Sequence, residues 1–248
     1  MSNELDTRND PGMTLDPPGK ILVVGAGPTG LEAALYGRFL GYDVTVIEAS
    51  SVADSWRDRG HQSLPMAPSQ CLSPLALSAL EAQAGLRSVD VLPTTVGQWI
   101  DDFLVPLTET DLLRGRIMIG RVTRIEHVPV AAEVPGDPAP DEPDDEPEQD
   151  VPPDFLLFVP GDPNQSFIAE AVIWTAGDFS SIDHAFALPT DYFFRIPSSP
   201  DGSAFERMRQ TRAAIVGIFA ELAGRADLDL YRPRRGTTAP SRKAGDNE

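Results

Sequence analysis

The chain has 248 residues, enough for one large or two small domains, and 41% hydrophobic residues supply a sizeable core. No apolar run is long enough to span a membrane, and a net charge of −18 argues against nucleic acid and anionic membrane surfaces as partners. Cys71 is the single cysteine, which excludes an internal disulfide, a thiolate metal cluster and a C-x-x-C redox pair.

Residues 1–19 are polar and lack an apolar signal-peptide core; they read as a flexible leader, and the chain as cytoplasmic. Ile21 to Val24 then form an unbroken apolar run, the pattern of a parallel strand buried on both faces. Gly25, Gly27 and Gly30 follow at G-x-G-x-x-G spacing. Gly25 allows the tight turn, Gly27 lets backbone approach a pyrophosphate, and Gly30 lets a helix pack closely on the strand. The helix start directs free N–H groups and its positive dipole end at the phosphates. A second strand, Val44 to Ile47, ends on Glu48, close to the position about 20 residues past the glycines where an acid accepts from ribose hydroxyls. An acid there fits FAD or NAD better than NADP.

After Glu48 the chain is polar and turn-like, with Trp56 as its main anchor and Arg57 and Arg59 near the nucleotide site. It reads as a loop over a pyrophosphate or flavin ring, or equally as a solvated loop. Ser73 and Pro74 open a helix as N-cap and first residue; Leu75, Leu77, Leu80 and Ala84 mark its buried side and Gly85 its end. A second helix starts at 93–95. Its core stripe is Val96, Trp99, Ile100, Phe103, Leu104 and Leu107, and Pro106 is expected to bend or end it. His61, His127 and His184 stand far apart in sequence, so no metal site is expected.

From Ile117 the pattern turns to period two, giving short strands that break at Gly120. Between Ala131 and Asp154 lie ten acids and no Lys or Arg, so more than half of the net charge belongs to this Pro-rich stretch. Residues 131–153 are expected to be a disordered insert in a hairpin connection, with a strand resuming at Phe155 and a turn over Gly161–Asn164. A buried strand, Ala171 to Thr175, then runs into the small residues Ala176 and Gly177.

Four stretches together resemble the FAD domain of bacterial flavin-containing monooxygenases: the Gly25–Gly27–Gly30 turn with Glu48, Ser55–Arg57, Leu64–Pro74, and Val172–Phe179. They are similar also to the wider group of two-dinucleotide-domain flavoproteins that includes thioredoxin reductase. The resemblance covers about 20–180 and implies an α/β, Rossmann-like FAD/NAD(P)-binding domain with a central parallel sheet and a small antiparallel β-meander. It implies that Gly25, Gly27, Pro28, Thr29 and Gly30 hold the FAD pyrophosphate and that Glu48 binds the adenosine ribose. Trp56 and Arg57 would lie along the FAD, the Val122 backbone would meet the adenine, and Thr175, Ala176 and Gly177 would pass close to the cofactor. NADPH or NADH would reduce the flavin, and oxygen or a small-molecule substrate would take the electrons. No catalytic side chain and no oligomeric state is assigned.

Members of the resembled group carry a second nucleotide-binding unit after the position of Gly177. Only a shortened segment, 181–231, follows here before a tail, 232–248, expected to be disordered. The segment has no second glycine fingerprint. Its Arg212–Pro233 stretch is too short for a parallel crossover, so one helix is expected over 205–223, with Phe205, Met208, Ile215, Val216, Phe219 and Leu222 facing the core. Residues 227–231 are expected to add an edge strand. Three functions stay open: a FAD-dependent oxidoreductase, a non-catalytic relative that binds FAD without NAD(P)H turnover, and an NAD-dependent dehydrogenase.

Overall fold

The computed structural model describes residues 14–67, 70–83, 93–128, 153–161, 166–197 and 202–232. The acidic insert (apart from Pro153), most of the leader, Ala84, Gly85, residues 162–164 and residues 233–248 of the tail lie outside them.

The opening unit folds as its pattern demands. Strand β1 (Lys20–Val24) leads into helix α1 (Pro28–Leu40), and strand β2 (Asp43–Glu48) returns parallel to β1. Helix α1 stops at Gly41, whose left-handed φ of 95° turns the chain toward β2. Short helix α2 (Asp54–Arg57) and helix α3 (Pro74–Glu81) follow; the Ser73 hydroxyl caps α3 by accepting the Ala76 N–H at 3.0 Å.

The next helical stretch starts with Thr95, which forms a reciprocal capping box with Gln98. It runs as α4 (Val96–Trp99), a π-turn at Ile100–Leu104, and α5 (Val105–Thr108). All six expected stripe residues are buried. Pro106 does not end the helical stretch at once: it continues to Thr108. Its missing N–H and its ring are accommodated by the wider turn before it, in which the Val105 N–H bonds the Ile100 carbonyl.

Two sheets result. Strands β3 (Ile117–Ile119), β7 (Ala171–Trp174) and β9 (Phe193–Arg195) join the first two in a fully parallel sheet of order β3-β2-β1-β7-β9. Strands β4 (Arg124–Val128), β5 (Asp154–Phe158) and β6 (Ser166–Ala169) form an antiparallel meander, which β8 (Asp183–His184) extends beside β4. The expected hairpin across the insert is thus the β4–β5 pair. The meander abuts the parallel sheet through β5 against β7 and β6 against β1. The central strands β1 and β7 are buried, apart from Lys20 at the start of β1.

Helix α6 (Ala204–Leu222) is the expected C-terminal helix, opened by a capping box between Ser203 and Glu206. Ile215, Ile218, Phe219 and Leu222 are buried against α1, where the Phe219 ring stacks on Tyr36 with centroids 5.1 Å apart. Phe205 differs from the expectation: it is exposed, because the first turn of α6 projects beyond the core. Residues 227–231 make turns rather than an edge strand, and their Tyr231 packs on Tyr36. Residues 14–19, inside the expected leader, are held in place: Leu15 is buried and its N–H donates to Leu222 O at 2.7 Å. Among the described residues no helix is long and apolar enough to cross a membrane.

Candidate dinucleotide-binding site

The three fingerprint glycines answer to different constraints. Gly25 has φ +105°, and a Cβ there would meet the Thr175 hydroxyl at 2.9 Å. At Gly30 a Cβ would lie 1.8 Å from the Gly25 carbonyl, so the α1–β1 contact requires glycine. Gly27 is different. Its backbone is ordinary extended chain, φ −72° and ψ 177°, and nothing lies within 4 Å of the Cβ position. Neither the backbone conformation nor packing within the protein demands glycine there. The open space before it fits a bound group.

Gly27 is also the N-cap of α1, with no side-chain cap, and its carbonyl accepts the first helical bond, from the Leu31 N–H at 3.0 Å. Pro28 has no N–H, so Thr29 and Gly30 present the free amides of the first turn. With no acid in that turn, the helix end favours an anion.

Glu48 sits at the end of β2 beside this turn. Its Oε2 accepts the Ala26 N–H at 2.6 Å and its Oε1 the Ser50 N–H at 3.2 Å. The Glu48 carbonyl accepts from Gly120 at 2.7 Å, which draws in the connection that carries buried Val122. Ala53 donates to Ala26 O at 3.1 Å and ties the following loop to the same turn.

In that loop the Trp56 ring meets Trp99 edge-on, centroids 5.6 Å apart, under the Arg59 guanidinium at 4.8 Å. Arg57 pairs with Asp101 at 3.2 Å. On the far side of β1, the Thr175 hydroxyl donates to Val24 O at 2.9 Å and contacts Gly25 O at 3.2 Å. Ala176 and Gly177 are exposed beyond it, with Gly177 at φ +57°.

A cavity of about 350 Å³ opens beside the turn, within the usual ligand-pocket range of about 300–1,000 Å³. Of the expected site residues, Pro28, Thr29, Trp56 and Thr175 line it; Gly25, Gly27, Gly30, Glu48, Arg57, Val122, Ala176 and Gly177 do not. The sequence reading missed Glu32 and the α6 residues of the wall. The available signal for Glu32 was its spacing, since i+3 and i+4 from Thr29 and Pro28 share a helix face. Burial raises the Glu32 carboxyl above the usual range, against the lowering action of the Ser73 and Tyr231 hydroxyls and Arg212. Trp99 also lines the wall, and its buried indole N–H has no partner among the described residues.

Cys71 is buried, and burial pushes its thiol up to about 11. No group of His, Cys, Asp and Glu suited to a metal ion occurs among the described residues.

The family model described as "Pyridine nucleotide-disulphide oxidoreductase" matches residues 20–59. No curated protein matches the chain. Among solved structures, bacillithiol disulfide reductase Bdr from Staphylococcus aureus is 12% identical, with TM-score 0.40, over 66% of this chain and 43% of that one. OTEMO in complex with FAD and NADP is 16% identical, with TM-score 0.40, over 64% and 26%. Lactococcus lactis thioredoxin reductase is 16% identical, with TM-score 0.35, over 64% and 35%. The chain spans less than half the length of each of these proteins. The chain is a Rossmann-like α/β protein, and the resemblance read from its fingerprint is borne out by the similarity of residues 20–59 to the pyridine nucleotide-disulphide oxidoreductases.

Proposed function

We propose that this chain is a FAD-dependent oxidoreductase in which a nicotinamide donor reduces bound FAD. The observation that carries the reading is Gly27: a glycine with no internal need to be one, facing open space at an uncapped helix start that adjoins a cavity. The Thr29 and Gly30 amides hold the pyrophosphate, Glu48 accepts from the adenosine ribose, and the flavin half extends toward the cavity. The family description at 20–59 supports a nucleotide cofactor and a nicotinamide donor.

The cofactor, when bound, supplies two-electron redox chemistry. The chain's own residues bind and orient it. The Thr175 hydroxyl holds Gly25 in its turn, and the Trp56–Trp99 pair walls the cavity and limits water. Cys71 is a single thiol whose buried, raised pKa disfavours thiolate, so this chain builds no dithiol relay. Oxygen or a small molecule is the acceptor, as in a monooxygenase-like reaction.

A second reading is a relative that binds FAD without NAD(P)H turnover. It is favoured by the short connection between Trp174 and Phe193, which carries only β8 and returns directly to the parallel sheet. That leaves no βαβ unit for a second nucleotide.

Absorption spectroscopy with anaerobic addition of NADPH and NADH tests both. A flavin band at one equivalent that bleaches supports the oxidoreductase. A band that persists supports the second reading. Protein that takes up no FAD overturns both.

A further inference from the structure

Glu32 is a half-buried acid in the cavity wall whose role the fingerprint does not explain. It lies on α1 one turn past Pro28 and Thr29, so it follows the anion-binding end along the side that lines the cavity. Its carboxyl is held from behind. The Tyr231 hydroxyl donates to Oε1 at 2.8 Å, and the Arg212 guanidinium, itself part of the cavity wall, sits over the Tyr231 ring at 5.8 Å. Burial and the neighbouring acid raise the Tyr231 phenol, so it remains a donor. An ionised carboxylate offers about four acceptor positions, and the Tyr231 and Ser73 hydroxyls account for two of them, leaving the others toward the cavity. Much of the rest of the wall is apolar, from Trp56, Met66, Trp99 and Met208.

A carboxyl in such a place is costly unless it meets donors. The purely structural alternative is a clamp. Tyr36, four residues on, accepts the Leu230 N–H at 3.0 Å, so α1 grips the C-terminal turn at both positions. A clamp explains Tyr231, but not why the acid faces the cavity.

We propose that Glu32 is the cavity's recognition group for the hydroxyl-bearing flavin half of the cofactor, its carboxylate positioned by Tyr231 and Arg212. This rests on the FAD reading above. FAD and ADP share the fingerprint contacts at the cavity's edge, and only FAD carries a flavin half that extends past them toward Glu32. The ratio of their affinities therefore isolates the contribution of Glu32.

The test titrates the full chain, wild type and the variants Glu32→Ala, Glu32→Gln and Tyr231→Phe, with FAD and with ADP. Loss of a charged hydrogen-bond acceptor is expected to weaken FAD about tenfold or more in Glu32→Ala, with ADP affinity unchanged. Glu32→Gln, which keeps size and one acceptor oxygen, serves if Glu32→Ala fails to fold, and loses FAD affinity selectively by a smaller factor. Tyr231→Phe shows a partial, FAD-selective loss. Equal losses for both ligands, or none for FAD, overturn the proposal and leave Glu32 a clamp. Wild-type protein that binds neither ligand overturns the cofactor reading itself, a result distinct from any variant's behaviour.

Discussion

The Glu48 carboxylate accepts the Ala26 amide at 2.6 Å, so the acid at the tip of β2 fastens the middle of the glycine turn. The residue expected to read a ribose also shapes the turn beside it. Replacing it with alanine leaves the Ala26 N–H without that partner and costs about 1–3 kcal/mol. The check is chemical denaturation of Glu48→Ala without cofactor, with FAD affinity measured in parallel. Both are expected to fall.

Gly27→Val separates ligand space from fold. The Cβ position is open and φ is ordinary, so stability should change by no more than about 1 kcal/mol, the usual scale for a changed N-cap. Cofactor occupancy should collapse. Thermal unfolding together with the flavin absorbance of the purified variant checks the pair of outcomes.

Gly30→Ala behaves in the opposite way. Its Cβ would lie 1.8 Å from the Gly25 carbonyl, and backbone must move. A destabilisation of about 3 kcal/mol or more is expected, without reference to any ligand. Denaturant midpoints of the apo protein decide this.

His127 sets an acid limit. Its ring lies parallel to Phe186 with centroids 4.6 Å apart, and its buried Nε2 has no partner among the described residues. Burial lowers its pKa below the usual 6.5. The unfolded chain therefore takes up the proton first, and the stability present above pH 6.5 is lost as pH falls toward the lowered folded value. His127→Phe should flatten that part of the curve relative to wild type, as read from denaturation midpoints between pH 5 and 8.

Cys71 should react slowly with a thiol-specific reagent at neutral pH and faster once the protein is unfolded, because the folded thiol is raised to about 11 and buried. Cys71→Ala should retain the flavin. Rapid labelling of folded protein counts against the buried thiol.

What the sequence made legible was local. The apolar run at 21–24, the glycine spacing and the capping residues each act within a few positions, and β1, α1, β2 and α6 formed where expected. What it concealed depends on distant partners. Strands β6 and β9 have only four and three residues and gain their place from neighbours in the sheets. Arg57 reads equally as a cation over a pyrophosphate and as part of a solvated loop, and its ion pair with an acid 44 positions away depends on the fold. Phe205 continues a helical stripe past the point where the core ends. Leu228 and Leu230 alternate like a strand, yet the segment turns because Tyr36 and Glu32 bind it. Glu32 gave only a spacing, and its surroundings come from Arg212 and Tyr231 at the other end of the chain.

The Thr175 hydroxyl reaches back 150 positions to a carbonyl of the glycine turn. A contact so remote along the chain forms only at the cost of closing a long loop. A fragment that stops short of β7 therefore contains every letter of the motif and lacks the fastening that gives it shape. Synthesis of the turn and its maturation into a binding surface are separate events, divided by most of the protein's length.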